Sequence, residues 1–100
     1  MTSWLLSYMG YFYILECSDG TYYSGSTKYL IKRMIQHQSG EGANYTKKRL
    51  PVKLVFFEIF ERIGEAFQRE KEVQRWSHKK KKALIEYNKD ALIKLAKKVF

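Results

Sequence analysis

The chain has 100 residues, 45% of them hydrophobic and 16% aromatic, which is enough for one domain with a single core and excludes a largely disordered chain. Its 19 Lys and Arg residues outnumber 10 Asp and Glu residues, and the net charge of +9 favours a polyanionic partner, nucleic acid before an anionic membrane surface. The single cysteine, Cys17, excludes an internal disulfide and a cysteine-rich metal site.

The segment before the first strand shows no targeting signal. It has no basic n-region and no apolar run of roughly 18 residues, so neither a signal peptide nor a transmembrane helix is predicted. We expect an N-terminal extension over residues 1–9 and a single domain over residues 10–100. A cytoplasmic location fits the lone cysteine. A membrane-surface role is disfavoured, because the lysine runs do not lie on one long amphipathic helix.

The first half of the chain predicts two strands and a helix. Tyr11 to Glu16 is aromatic and β-branched, Ser18-Asp19-Gly20 is typical of a turn, and Thr21 to Gly25 returns as the second strand. Thr27 to Gln38 has the pattern of a helix, with Thr27 as its N-cap. Ser39 to Leu50 is polar, contains glycines and then becomes basic, so it is predicted to be a loop.

The length of the first turn decides which tyrosines share a face of the sheet. A two-residue loop would put Tyr13 and Tyr23 on opposite faces. A three-residue loop, with Gly20 in the left-handed conformation, pairs Cys17 with Thr21 and puts both tyrosines on one face. We predict the three-residue register. Taken singly, both tyrosines also fit ordinary core or cross-strand positions.

The first helix carries an apolar stripe at helical spacing, predicted to face the core: Leu30, Ile31, Met34 and Ile35. Arg33 and His37 are i,i+4 neighbours at the edge of this stripe, so they should be partly buried and point the same way. Arginine suits bidentate binding of phosphate. Histidine can contact a phosphate or shuttle a proton. A surface arginine and a structural histidine are the alternatives.

The second half of the chain predicts one strand and three helices. The strand spans about Val52 to Phe60, and the first of these helices spans Gly64 to Trp76. Ser77 is a suitable N-cap for the next helix, and Asn88 for the last one.

Glu70 is the polar exception in the helix after the third strand. Helical spacing puts it at the centre of a face whose other members are apolar: Ile63, Ala66, Phe67 and Val73. An ionised carboxylate there costs several kcal/mol unless a cation or hydrogen-bond donors satisfy it. Two interpretations stay open, a structural ion pair with Arg33 or another base, and a ligand for Mg²⁺.

Taken together, these residues resemble a known family. Tyr11-Phe12-Tyr13 followed by Tyr23-Ser24-Gly25 resembles the paired signature of the GIY-YIG nuclease superfamily, with Tyr11 and Ser24 replacing its first glycine and middle isoleucine. Arg33 and His37 fit the helix that follows the signature, and Glu70 resembles the metal-binding glutamate of that family.

The resemblance covers about residues 10 to 86. Gly40 to Thr46 and Lys80 to Ile85 further resemble the small stand-alone bacterial branch of the superfamily. The implied fold is α/β (α+β), a small three-stranded antiparallel sheet flanked by helices.

The activity that this resemblance implies is metal-dependent endonuclease cleavage of DNA, structured or single-stranded, with one Mg²⁺ or Mn²⁺ ion. By the same resemblance, Tyr13 is expected to activate water and Glu70 to hold the metal. Three further residues are expected to bind the phosphate and its developing charge: Tyr23, Arg33 and His37.

Two basic segments are candidates for docking nucleic acid. One is the loop segment Lys47, Lys48 and Arg49, beside which Tyr45 is a candidate for stacking on a base. The other opens the helix after Ser77 and consists of four lysines: Lys79, Lys80, Lys81 and Lys82. Solubility is the alternative role of these charges.

The expected partner is nucleic acid, DNA in preference to RNA. Members of the superfamily usually take target specificity from an attached DNA-binding domain, so a protein partner that supplies specificity is left open. The alternative function is a non-catalytic or partner-dependent nucleic-acid-binding module with the same fold.

Overall fold

A three-stranded antiparallel sheet organises the computed structural model, which describes residues 8–87. The strands are β1 (Gly10–Glu16), β2 (Tyr22–Thr27) and β3 (Lys53–Phe60), and their order in the sheet is β2-β1-β3. The central strand β1 is antiparallel to both neighbours. This confirms the predicted fold.

Four helices accompany the sheet in the described part of the chain: α1 (Leu30–Gln38), the single turn α2 (Asn44–Lys47), α3 (Ile63–Gln74) and α4 (78–87). Ser77 caps α4 as predicted, since its Oγ accepts a hydrogen bond from the Lys80 N–H at 3.2 Å. The sequence did not predict α2, which forms inside the expected loop. Residues 1–7 of the expected extension and the helix expected after Asn88 lie outside the described residues.

The turn between β1 and β2 has the predicted three-residue register. The Cys17 N–H donates to the Thr21 carbonyl at 2.8 Å, and Gly20 has φ +81°, a conformation that favours glycine. As a result Tyr13 is opposite Gly25. Tyr23 lies diagonally from Tyr13 on the same face of the sheet.

The two faces of the sheet bury different clusters. Phe12 and Ile14 pack with residues of β3, α3 and α4: Phe56, Ala66, Val73 and Ile85. On the opposite face, Tyr13, Leu15 and Cys17 pack with Val52 and, from α1, with the partly buried Leu30 and Met34. The sheet therefore separates α3 and α4 on one face from α1 on the other.

Helix α1 differs from its prediction at its start and on its apolar side. Thr27 ends β2, and its Oγ1 accepts a hydrogen bond from the Tyr29 N–H at 3.0 Å, so the hydroxyl stabilises the turn before the helix rather than capping it. Ile31 and Ile35 are 77% and 64% exposed. The inward line of the helix runs through Leu30, Met34 and His37, at i, i+4 and i+7, and the two isoleucines lie beside this line.

Candidate active site

A cavity of about 600 Å³ opens beside the end of β2. We call it the β2 cavity. Tyr13 from β1, Tyr23 from β2, Arg33 from α1 and Glu70 from α3 all line it. The fifth predicted residue, His37, does not line the cavity but is hydrogen-bonded to Tyr13 from behind.

Gly25 allows the phenol of Tyr13 to lie against β2. A Cβ atom at position 25 would stand 2.5 Å from Cζ of Tyr13 and closer still to its hydroxyl oxygen. Real Cβ atoms do not tolerate such contacts, so the close approach requires glycine at this position.

Three rings form a compact cluster at the wall of the β2 cavity, where Tyr13 and Tyr23 line it and His37 lies behind them. The centroid of Tyr13 is 6.5 Å from that of Tyr23 and 5.7 Å from that of His37, and the Tyr23 and His37 centroids are 5.4 Å apart. The hydroxyl of Tyr13 is 2.8 Å from Nε2 of His37. Tyr13 is 1% exposed and His37 is fully buried.

His37 is held on its other side by the segment that contains α2. Its Nδ1 is 2.9 Å from Oγ1 of Thr46, a fully buried residue, and Gly42 packs against the imidazole ring. Both ring nitrogens are therefore engaged inside the protein. The expected contact between His37 and a phosphate does not fit this arrangement, because no ring nitrogen faces the cavity.

Burial shifts the protonation of these groups strongly. It raises the pKa of Tyr13 to about 12, although the nearby Arg33 guanidinium acts in the opposite direction. Burial lowers the pKa of His37 to about 4, and the positive charge of Arg33 adds to this effect. Burial also raises the pKa of Tyr23, and the Glu70 carboxylate reinforces that rise. At neutral pH the cluster thus contains two neutral phenols and a neutral imidazole.

These opposite shifts keep the proton on Tyr13 and leave the imidazole of His37 neutral in the free protein. The resting pair is therefore neutral.

Glu70 lies at the edge of the buried face of α3, not at its centre as predicted. Ala66 and Val73 are fully buried against the sheet, whereas Phe67 is 47% exposed and lines the β2 cavity with the half-buried Glu70. Among the described residues, no ion pair joins Glu70 to Arg33. The structural ion pair between these two residues, one of the open alternatives, is therefore not formed.

The carboxylate of Glu70 suits a hydrated divalent ion. One oxygen accepts a hydrogen bond from Ser26 Oγ at 2.7 Å, and the other accepts one from Gln74 Nε2 at 3.0 Å, so lone pairs on both stay available. Within residues 8–87 no cluster of three or more His, Cys, Asp or Glu side chains forms a metal site. A single carboxylate beside an open cavity fits Mg²⁺, which keeps several water ligands and also takes phosphate oxygens.

Among the described residues, two cations line the β2 cavity. Arg33 donates from Nη1 to Gln36 Oε1 at 3.1 Å, and Lys28 follows directly after β2. Lys28 was not among the residues expected from the sequence. Its position three residues after Gly25 could have indicated a cation beside the tyrosines. Together the two cations make the cavity suitable for an anion such as a backbone phosphate.

Tyr45 and Arg49 make contacts within the protein that the sequence did not predict. The guanidinium carbon of Arg49 is 3.8 Å from the centroid of the Tyr45 ring, and that ring stacks on Tyr23 with centroids 6.1 Å apart. Arg49 also forms an ion pair with Asp19 at 3.0 Å. These contacts tie the α2 segment to the first turn and leave Tyr45 37% exposed.

The expected docking lysines lie outside the β2 cavity. Lys47 and Lys48 are exposed beside Arg49, and Lys79 and Lys82 are exposed on α4. Lys80 Nζ lies 4.1 Å from the centroid of the Trp76 ring. Lys81 is partly buried, and this burial lowers its pKa.

Comparison with known proteins identifies the family of the chain. The sequence model of the GIY-YIG catalytic domain matches residues 9–83. A UPF0213 protein of Staphylococcus saprophyticus is 48% identical over 75 residues, which are 75% of this chain and 92% of that protein. A UPF0213 protein of Bacillus pumilus is 47% identical over 76 residues, 76% of this chain and 78% of that protein.

Two solved structures share the fold. The solution NMR structure of a UPF0213 protein from Bacillus halodurans has a TM-score of 0.52 and 42% identity, and that of a protein from E. faecalis has a TM-score of 0.54 and 36% identity. Each comparison covers 79% of this chain and 84% of the other. The chain belongs to the GIY-YIG family, in its small UPF0213 group. A GIY-YIG catalytic domain indicates a nuclease.

The described residues, 8–87, include no helix with the length and apolar content needed to cross a membrane.

Proposed function

We propose that the protein is a metal-dependent endonuclease that hydrolyses phosphodiester bonds in DNA, structured or single-stranded. One observation supports this most directly. Four groups from four separate elements meet in the β2 cavity: two phenols, a guanidinium and a carboxylate. The carboxylate has no ion-pair partner among the described residues. Each group alone has an ordinary structural explanation, whereas their convergence suits the hydrolysis of an anionic ester.

The residues of the β2 cavity divide into three roles. The phenol oxygen of Tyr13 accepts a proton from the attacking water. Arg33 and Tyr23 bind the scissile phosphate and the charge that develops on it, and Lys28 adds a second cation. Glu70 holds one divalent ion, Mg²⁺ or Mn²⁺, which supplies Lewis-acid stabilisation of the phosphate when bound.

Docking is proposed to be independent of sequence. The exposed Lys47 and Lys48 provide phosphate contacts, and Lys79 and Lys82 provide others on α4. Selection of DNA over RNA, or among DNA structures, is proposed to come from the shape of the substrate or from a protein partner.

The experiment compares the wild type with Glu70→Gln. Labelled duplex, single-stranded and branched DNA, with matching RNA, are incubated with each protein in Mg²⁺ or EDTA. Cleavage by the wild type in Mg²⁺ is expected, and Glu70→Gln should lower it by about 10³-fold, which corresponds to roughly 4 kcal/mol. Binding in EDTA should stay unchanged. Glu65→Gln, an exposed position in the first turn of α3, is the matched control and should cleave normally.

The stability of the variant separates a metal ligand from a structural charge. Glu70 is half-buried, and an amide can keep its bond with Ser26, so the free energy of unfolding should change by no more than about 1 kcal/mol. Normal cleavage by Glu70→Gln would refute the metal role. Nucleic-acid binding by a wild type that cleaves none of the substrates would favour the binding module instead.

A further inference from the structure

A buried chain of hydrogen bonds leads away from the β2 cavity into the α2 segment. It starts at the Tyr13 hydroxyl, which is 2.8 Å from His37 Nε2, and continues from His37 Nδ1 to Thr46 Oγ1 at 2.9 Å. Thr46 Oγ1 is in turn 3.1 Å from the carbonyl oxygen of Ala43. Both His37 and Thr46 are fully buried, so water does not compete for these groups.

The last group in the chain determines the direction of every bond before it. The Ala43 carbonyl only accepts: it receives the Lys47 N–H at 3.0 Å and, on its second lone pair, the single hydroxyl proton of Thr46 at 3.1 Å. Thr46 Oγ1 must then accept a proton from Nδ1 of His37. A neutral imidazole carries one N–H, so Nε2 is left with a lone pair and accepts the hydroxyl proton of Tyr13.

We propose that Thr46 is a positioning residue that holds His37 in the Nδ1–H tautomer, so that His37 Nε2 accepts the proton of Tyr13. The proposal rests on the proposed nuclease function for its catalytic consequence. With its own proton committed to Nε2, the hydroxyl of Tyr13 presents only lone pairs to the β2 cavity. It is then oriented to accept a proton from water rather than to donate one to it.

Every proton in the proposed step has a donor and an acceptor. The attacking water gives a proton to Tyr13 Oη as its oxygen forms the bond to phosphorus, and Tyr13 gives its own proton to His37 Nε2. The P–O bond to the leaving oxygen breaks, and that oxygen takes a proton from solvent. The imidazolium returns its extra proton to solvent through Tyr13. Thr46 can keep accepting from Nδ1–H throughout, so it also supports the charged ring.

The surroundings of Thr46 support a positioning role. Thr46 lies in the single turn α2 and is absent from the lining of the β2 cavity, so it acts only through His37. Gly42 fixes the ring from the same side, because a Cβ atom there would stand 2.9 Å from Cε1 of His37. Further contacts hold the same segment: Tyr45 stacks on Tyr23, and Arg49 lies over the Tyr45 ring and pairs with Asp19.

The tautomer is measurable without any nuclease assay. In ¹⁵N-labelled wild-type protein, two-dimensional NMR of the imidazole nitrogens at neutral pH should show His37 protonated at Nδ1 and unprotonated at Nε2. Thr46→Ser, which retains the hydroxyl, should give the same pattern. Thr46→Val, which matches threonine in shape but lacks the acceptor, should convert His37 to the Nε2–H tautomer. An Nε2–H tautomer in the wild type would overturn the proposal.

Cleavage kinetics test the consequence. Relative to the wild type, Thr46→Val should lower kcat at least tenfold and leave KM within about twofold. Thr46→Ser should keep the wild-type kcat. Unchanged kcat in a folded Thr46→Val protein would overturn the role of Thr46. If Thr46→Val fails to fold, the wild-type tautomer still decides the question, because an Nε2–H tautomer would overturn the proposal. A wild type that shows the Nδ1–H tautomer but cleaves nothing would refute the nuclease function alone.

Discussion

Acidification should destabilise the protein through His37. Its pKa is about 4 in the folded protein and 6.5 in its ordinary environment, because burial disfavours the charged ring. At pH values between about 4 and 6.5, the His37 side chain binds a proton in the unfolded chain but not in the folded one. The stability is therefore fully present above pH 6.5 and is lost as the pH falls towards 4.

The size of the effect follows from the same pKa values. A fall of about 2.5 in the pKa, at about 1.36 kcal/mol for each pKa unit, corresponds to a total loss of about 3 kcal/mol at pH values below 4. Between pH 7 and pH 5 the loss from this residue should be about 2 kcal/mol. For a domain of this size, that is a large part of the whole stability.

Urea unfolding at intervals between pH 7.5 and 5, followed by tryptophan fluorescence, measures this loss. The control is His37→Gln, whose amide can still accept a bond from Tyr13 and donate one to Thr46. The free energy of unfolding of the wild type should fall by about 2 kcal/mol more than that of the variant over this range. Parallel curves for the two proteins would refute the conclusion that His37 is buried and neutral.

Three further outcomes are expected. Ser24→Ala should raise the free energy of unfolding by about 1 kcal/mol in urea titrations, because Ser24 Oγ is buried without a hydrogen-bond partner among the described residues. A decrease in stability would contradict this expectation. Gly25→Ala should displace the Tyr13 ring and lower cleavage at least tenfold in a protein that circular dichroism shows to be folded, and normal cleavage would refute the close packing. Changing Lys47 and Lys48 to Ala should flatten the slope of log K against log salt by about 1 for each phosphate that the variant no longer binds, whereas an unchanged slope would return both lysines to a solubility role.

Short-range chemistry made much of the fold predictable. The Ser18-Asp19-Gly20 turn contains a glycine at the one position that needs a positive φ, and this alone places Tyr13 and Tyr23 on the same face. Ser77 signalled the start of α4 because capping depends on a hydroxyl and a backbone N–H three residues later. In each case the determining contact joins residues that are close in the chain.

The orientation of the helices was less predictable. Periodicity placed Ile31 and Ile35 in the buried stripe of α1, yet they are 77% and 64% exposed. It also placed Glu70 at the centre of a buried face, whereas this residue is half-buried at the edge of the β2 cavity. A helical pattern defines a broad apolar side, and the packing of that helix on the sheet selects which part of it is covered.

By itself, the sequence determined the strands, the register of the first turn and the residue types of the candidate site. It also carried the resemblance to the GIY-YIG family. Only the tertiary structure decided that His37 is fully buried between Tyr13 and Thr46, and that Arg49 is paired with Asp19. Those contacts join parts of the chain that no local pattern relates, because they depend on how α1 and the α2 segment settle together on one face of the sheet.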